Sequence, residues 1–138
     1  MELKTSKILD IRFSEVDSMN VVWHGSYMLY FEDAREAFGE QYELTYMGFF
    51  DQGYFAPLVE MSFQWKRPIR YGMKPRIDIR YCPTEAAKIV FDYEIHDPMD
   101  ESLIAIGHSV QVFMDTNYNL VLYNPPFYKE WKKRWEVL

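Results

Sequence analysis

The sequence predicts an α+β protein in which a curved antiparallel sheet of about five strands wraps one long helix, with a short helix near the C-terminal end. Three observations carry this reading. Tyr27, Tyr30, Phe31, Ala34 and Phe38 recur at helical spacing, whereas the segments after them alternate with a period of two. Those segments follow one another without an intervening helix, so they must pair largely antiparallel, because a parallel partner needs a long crossover. A sheet with one apolar face also needs a cover, and the Tyr27 to Phe38 helix is the large apolar body available for it.

Taken in order, a first strand is expected over Lys7 to Phe13, where Ile8, Leu9, Ile11 and Phe13 are apolar. A turn of small and polar residues leads into the helix. Met28 and Leu29 widen the apolar sector of its first turns, which predicts an enveloped first half, with Glu32 partly buried and holding the turn in place. A surface pair between Glu32 and Arg35, three residues apart, is the plainer alternative. Tyr46 to Gly53 reads as a loop. Val59, Met61, Phe63 and Trp65 then alternate with Glu60, Ser62, Gln64 and Lys66, as in a strand with one packed face. Ile77, Ile79 and Tyr81 repeat the pattern, as do Ile89, Phe91, Tyr93 and Ile95, and Asp97 to Asp100 form a turn. A long last strand runs from Leu103 to Asp115. In it His108 falls among Ile104, Ile106, Val110 and Val112, which predicts a satisfied core histidine. Asn124-Pro125-Pro126 opens a short amphipathic helix carrying Phe127, Trp131 and Trp135. Open strand edges and surplus aromatics predict association into homodimers or homotetramers.

Residues 1–138 read as one domain, with 49% hydrophobic and 18% aromatic residues to fill a core. The net charge of −6 argues against non-specific nucleic-acid binding, which relies on Lys and Arg. Cys82 is the only cysteine, which rules out an intrachain disulfide and a thiolate metal site, and it is expected near the core. Nowhere do about 18 apolar residues run together, and the start carries no secretory pattern, so a cytoplasmic protein without a membrane span is expected.

The most informative stretch is Glu15-Val16-Asp17-Ser18-Met19-Asn20-Val21-Val22-Trp23-His24. A carboxylate follows a strand, a turn intervenes, and an imidazole arrives where a helix exposes its first unpaired N–H groups. An acid, an imidazole and amide donors thus come close together in the chain. Read by residue type alone, Asp17 fits either a catalytic carboxylate or a turn acid bonding its own backbone. His24 fits either a proton-transfer group or a plain helix-start residue.

These residues resemble the hot-dog acyl-CoA thioesterases of the 4-hydroxybenzoyl-CoA thioesterase type. The family opens with a strand, an Asp-x-Asp pair, Gly-Val-Val, an aromatic residue and His, and then a helix of the form Tyr-x-x-x-Phe-Glu-x-Ala-Arg. Here Glu15-Val16-Asp17, Val21-Val22-Trp23-His24, Tyr27, Phe31-Glu32 and Ala34-Arg35 match it, and Pro68 to Gly72 matches a later Pro-x-x-x-Gly turn. Glu15 stands where the family has its first Asp and is not carried over as a site residue. Asn20 stands for the usual Gly, and Asn is among the few side chains that accept a left-handed backbone.

The resemblance implies a hot-dog fold and hydrolysis of an acyl or aryl thioester to the free acid and coenzyme A, with no cofactor or metal. Asp17 would be nucleophile or general base. His24 and Gly25 would mark the amides that stabilise the oxyanion, donors that typically matter by roughly 3 kcal/mol each. A thioesterase for acyl-carrier protein and a non-catalytic acyl-CoA binding module are the alternatives. Lys66, Arg67, Arg70, Lys74, Arg76 and Arg80 concentrate positive charge in an acidic protein. Lys66, Arg67 and Arg70 are candidates for meeting coenzyme A phosphates, unless the cluster is only a solvated face. Phe49, Phe50, Tyr54 and Phe55 are candidates for lining an acyl pocket or packing a dimer.

Overall fold

A computed structural model describes residues 2–137. Its centre is helix α1 (Tyr27–Tyr42), whose stripe of Tyr27, Tyr30, Phe31, Ala34 and Phe38 is at most 2% exposed. Side chains three and four apart share one helix face, so this stripe presents a continuous aromatic ridge to the sheet.

The sheet has five long strands: β1 (Lys4–Ile8), β3 (Leu58–Trp65), β4 (Arg76–Tyr81), β5 (Lys88–Asp97) and β6 (Ser102–Asp115). They lie in the order β1-β4-β5-β6-β3, and every pairing is antiparallel. Two short strands, β2 (Tyr54–Phe55) and β7 (Leu120–Val121), add to the far end of β6. The sheet therefore wraps α1 as the spacing predicts. Among the described residues no helix is long and apolar enough to cross a membrane.

Helix and sheet come into tight contact at Gly107 on β6. A Cβ there would lie 2.9 Å from Cε1 of Phe31 and 3.3 Å from Cδ1 of Tyr93. Phe31 in turn packs on Phe63 and Tyr93, with ring centroids 5.4 and 4.9 Å apart. Helix α3 (Pro126–Arg134) closes the other end of the core. Trp131 Nε1 donates to the Tyr42 carbonyl at 2.7 Å, and the Tyr128 hydroxyl to that of Lys88 at 2.7 Å. Lys132 is buried and gives its three protons to Thr84 O, Ala86 O and Asn124 Oδ1. Burial holds its ammonium below the usual lysine range.

Several expectations are corrected. The first strand is Lys4–Ile8 rather than Lys7 to Phe13, because its pairing with β4 is made by backbone groups while only the flanking Leu3 and Leu9 enter the core. Tyr46 to Gly53 contains a helix, α2 (Tyr46–Asp51), capped by Thr45, whose side chain accepts from the Gly48 amide. Leu29 is 50% exposed, so the first half of α1 is not enveloped within one chain.

From Ile106 onward the phase of β6 is opposite to the one read from its apolar residues, although Ile104 is buried. Gly107, buried Ser109, Gln111 and Phe113 face the helix, and His108 lies on the other sheet face with its side chain 41% exposed. The close pass of Phe31 demands the glycine inward, and the Tyr93 hydroxyl satisfies Ser109 there while the Ala56 carbonyl and the Tyr46 hydroxyl accept from Gln111. Gly107→Ala is expected to lower the urea midpoint by the equivalent of about 1–3 kcal/mol, since the new methyl group must displace Phe31 or Tyr93. An unchanged midpoint would show that the ridge has slack at this point.

Candidate active site

The loop before α1 is built as a narrow hairpin. A 3₁₀ turn at Phe13–Glu15 starts it, and Val16 bridges Val22 while Val21 bridges Arg70. The Asp17 amide donates to Val21 O at 2.8 Å, and that of Trp23 to Glu15 O at 2.8 Å. Asn20 makes the reversal at φ 62°, the left-handed conformation for which Gly or Asn is suited. Val22 N donates to Ile69 O at 2.7 Å, which ties the hairpin to the segment between β3 and β4. Acid and helix start thus emerge from one short ladder.

Asp17 is half-buried at its tip. Its Oδ1 accepts the Met19 amide at 2.8 Å and the Val21 amide at 3.3 Å, while Oδ2 has no hydrogen-bond partner among the described residues. One oxygen therefore does the turn-forming work anticipated for an Asp here, and the other remains available. At the far end of the ladder a 3₁₀ turn, His24–Ser26, leads into α1. Neither the His24 nor the Gly25 amide donates to any acceptor in the described residues, as expected for the first positions of a helix. These donors sit at the positive end of the α1 dipole.

Gly25 has a specific steric reason. A Cβ at this position would fall 1.8 Å from Cζ3 of Trp23, whose ring lies over it and also packs on His24 at 4.8 Å. Both Trp23 and His24 are exposed. Around them Met19, Leu29 and Trp65 are also exposed, 74%, 50% and 47% respectively, so apolar surface rims the hairpin.

What braces this loop from the helix is Tyr30, not Glu32. The Tyr30 hydroxyl donates to Oε1 of Glu15 at 3.1 Å, and the same oxygen accepts the Arg12 amide at 2.8 Å. Burial and then the Glu15 charge push the Tyr30 phenol well above its ordinary pKa, so it remains a proton donor. Glu32 points to solvent, and its expected partner Arg35 turns inward to the Tyr93 hydroxyl at 3.1 Å. The signal available beforehand was the apolar stripe itself: Tyr30 lies on it and Glu32 does not.

The basic cluster is dispersed. Arg76 pairs with Asp78 and Glu101, and Arg80 with Asp92. Arg67 bonds Ser102 and lies 3.8 Å from Asp100. Lys66 and Arg70 form no ion pair among the described residues, and Arg70 is held beside the hairpin through its bridge to Val21.

On the outer sheet face, Ser62, His108 and Asp92 lie side by side across β3, β6 and β5. His108 Nδ1 is 2.6 Å from Asp92 Oδ1, and its Nε2 is 4.0 Å from Glu60. No bond joins Ser62 to His108, and backbone amides within a strand ladder are committed to pairing, so this row lacks oxyanion donors. Cys82 is bonded to Asp92 Oδ2, and burial first, then that carboxylate, pushes its thiol up to about 11, so it is a protonated, unreactive thiol at neutral pH.

Fold and loop together define a hot-dog protein with an acid and free amides at one helix end. The chain belongs to the thioesterase-like superfamily, whose model matches residues 11–132. It is 26% identical over 97 residues, 70% of each chain, to the Bacillus subtilis (strain 168) protein named "Putative acyl-CoA thioesterase YneP". Its fold is like that of the DHNA-CoA thioesterase of Staphylococcus aureus, with a TM-score of 0.84 and 21% identity over 97% of this chain and 92% of that one. It is also like that of the 12:0-ACP thioesterase of Umbellularia californica, with a TM-score of 0.81 and 13% identity over 96% of this chain and 50% of that one.

Tyr30→Phe keeps the ring and removes the bond to Glu15. The expected outcome is a loss of about 0.5–1.5 kcal/mol, with faster hydrogen exchange at the Asp17 and Trp23 amides and no change in β5 and β6. Unchanged exchange in the hairpin would show that Tyr30 does not brace it.

Proposed function

We propose that this protein is an acyl-CoA thioesterase that hydrolyses an acyl or aryl thioester to the free acid and coenzyme A. The supporting observation is the pairing of a partner-free Asp17 oxygen with two free amides, His24 and Gly25, on the same hairpin. In this reading the thioester carbonyl oxygen rests on those amides, which strengthen their hold as negative charge develops on it. Asp17 either attacks the carbonyl carbon, giving an anhydride that water then opens, or draws a proton from the attacking water. In both routes the C–S bond breaks and the sulfur leaves as coenzyme A thiolate. The His24 ring borders the same amides and is placed to bond the substrate. The chemistry needs only water and groups of the chain, so no cofactor is invoked.

Lys66, Arg67 and Arg70 would meet the coenzyme A phosphates; Arg70 is best placed, because its backbone is tied to the hairpin. An acyl-carrier-protein substrate is the second reading, favoured by the fold likeness to the 12:0-ACP thioesterase. The phosphopantetheine arm is common to both substrates, so the residues around the thioester serve either. The site is proposed to work in the cytoplasm and to be completed in a homodimer or homotetramer. Of the two sheet edges, β1 is met by α1 at its start, where Tyr42 exchanges hydrogen bonds with Lys4 and Gln41 bonds Thr5. The outer edge of β3 has no such contact among the described residues, and it carries Val59, 59% exposed, and Trp65 next to the apolar rim of the hairpin.

Asp17→Asn retains an oxygen for the Met19 and Val21 amides, so it isolates chemistry from folding. Thiol release from a panel of acyl-CoAs is expected to fall about a hundredfold or more, with an unchanged melting curve. A near-normal rate would remove Asp17 from the mechanism, binding without turnover by the native protein would favour the non-catalytic module, and turnover of acyl-carrier protein alone would favour the second reading. Val59→Lys puts a charge on the free edge of β3. Light scattering is expected to show dissociation to monomers with the far-UV spectrum kept and thioesterase activity reduced; an unchanged mass would place the contact elsewhere.

A further inference from the structure

Beside the hairpin two aromatic side chains stand in water. Phe13 opens the 3₁₀ turn at the base of the hairpin and is 77% exposed, and Tyr71, in the segment between β3 and β4, is 50% exposed. Their ring centroids are 5.7 Å apart and their planes lie at 88°. Two perpendicular rings make an open corner, in which a flat heterocycle can stack on one ring and meet the edge of the other. Leaving this much apolar surface in contact with water is unfavourable, so the corner gains from an occupant.

The corner is a built feature of the fold. The Met73 amide donates to Arg70 O at 3.1 Å, and Gly72 takes a left-handed turn conformation at φ 96°. Leu9 N donates to Pro75 O at 2.8 Å and Val22 N to Ile69 O at 2.7 Å, so the turn that carries Tyr71 is anchored at both ends. It also lies close to the candidate site. Val21 bridges Arg70 on one side, and its carbonyl accepts from the Asp17 amide on the other, which puts Asp17 and Arg70 two ladder spacings apart, about 10 Å. Arg12 adjoins Phe13 in the chain, and Arg70 and Lys74 flank Tyr71. All three cations are exposed, and none of them forms an ion pair among the described residues. In a chain of net charge −6, unpaired cations gathered at an aromatic corner favour a flat ligand that carries phosphate.

Building on the thioesterase reading, we propose that this corner is the adenine subsite for coenzyme A, with the base stacked in the angle between Phe13 and Tyr71 and with Arg12, Arg70 and Lys74 meeting the phosphates. The pantetheine arm runs from the thioester, at the His24 and Gly25 amides, along the hairpin to Arg70, and that flexible arm is long enough to cover the interval. The substrate is thus gripped at both ends, and its remote end contributes binding without touching the reacting atoms. A carrier protein presents the same arm without a base, so the corner selects the nucleotide-bearing thioester.

The ratio of kcat/KM for an acyl-CoA to kcat/KM for the same acyl group on pantetheine isolates the nucleotide end. It is expected to fall about tenfold in Tyr71→Ala and in Phe13→Ala, the scale of one base stacked on an aromatic ring, with the change carried by KM for the acyl-CoA. Tyr71→Phe should restore it. A native ratio near one, or a ratio unaltered in both alanine variants, overturns the proposal and leaves the thioesterase reading intact. Failure of the native protein to hydrolyse either substrate counts against that reading instead, and nucleotide binding then decides the corner. Saturation-transfer NMR with free adenosine bisphosphate, the nucleotide end of coenzyme A without its thioester, is expected to show transfer to the adenine protons in the native protein and a weakened signal in Tyr71→Ala. No transfer in the native protein overturns the proposal. Loss of assembled mass in both alanine variants would assign the corner to a subunit contact and likewise overturn it.

Discussion

The structure depends on one contact: the Phe31 ring seated over Gly107. Helix α1 approaches the sheet as closely as it does because β6 carries no Cβ at that point. From this pass, Tyr27 reaches outward to stack on Phe63 and Trp65, with centroids 5.8 and 5.0 Å away, and Phe38 reaches the other way to Phe91 at 4.9 Å. The sheet curves because it must follow an aromatic ridge along its length. The core is held by burial and ring packing, with α3 acting as the stopper at one end.

The same contact sets the position of the candidate site. With α1 held down at Phe31, its first turn packs through Tyr27 on Phe63 and Trp65 of β3, and the hairpin leads directly into it. The hairpin is fastened at three points to two other parts of the chain: Glu15 to Tyr30 on α1, and Val22 to Ile69 and Val21 to Arg70 in the segment after β3. Free amides at a helix start are cheap to make, since every helix has them. What distinguishes these is that a carboxylate with one unused oxygen is held in the same ladder, with exposed apolar side chains nearby.

Placing Gly107 inward also fixes its neighbours. Ser109 and Gln111 must then face the helix, and they build a polar pocket inside the core together with Tyr93, Tyr46 and Arg35. On the outer face the strands instead carry paired charges, Arg76 with Asp78 and Glu101, Arg80 with Asp92, which are worth little to stability and leave few free cations for a phosphate. On β6 Ile106, Val110 and Val112 thus point away from the core while Ser109 and Gln111 point toward it.

By itself the sequence determined the α+β class, the antiparallel pairing of the long strands, the span of α1 to within a turn, the short C-terminal helix and the special turn with Asn20 at its reversal. These follow from local periodicity and turn chemistry, which act between neighbours along the chain. Tertiary structure alone decided the order of the strands, which face of β6 is buried, that Arg35 turns inward while Glu32 stays in water, and that Tyr30 braces Glu15. Each of those outcomes depends on how near two distant segments come to each other, and a ring lying over a glycine sets that distance. Alternation along a strand states that two faces differ; only the partner across the gap states which of them is inside.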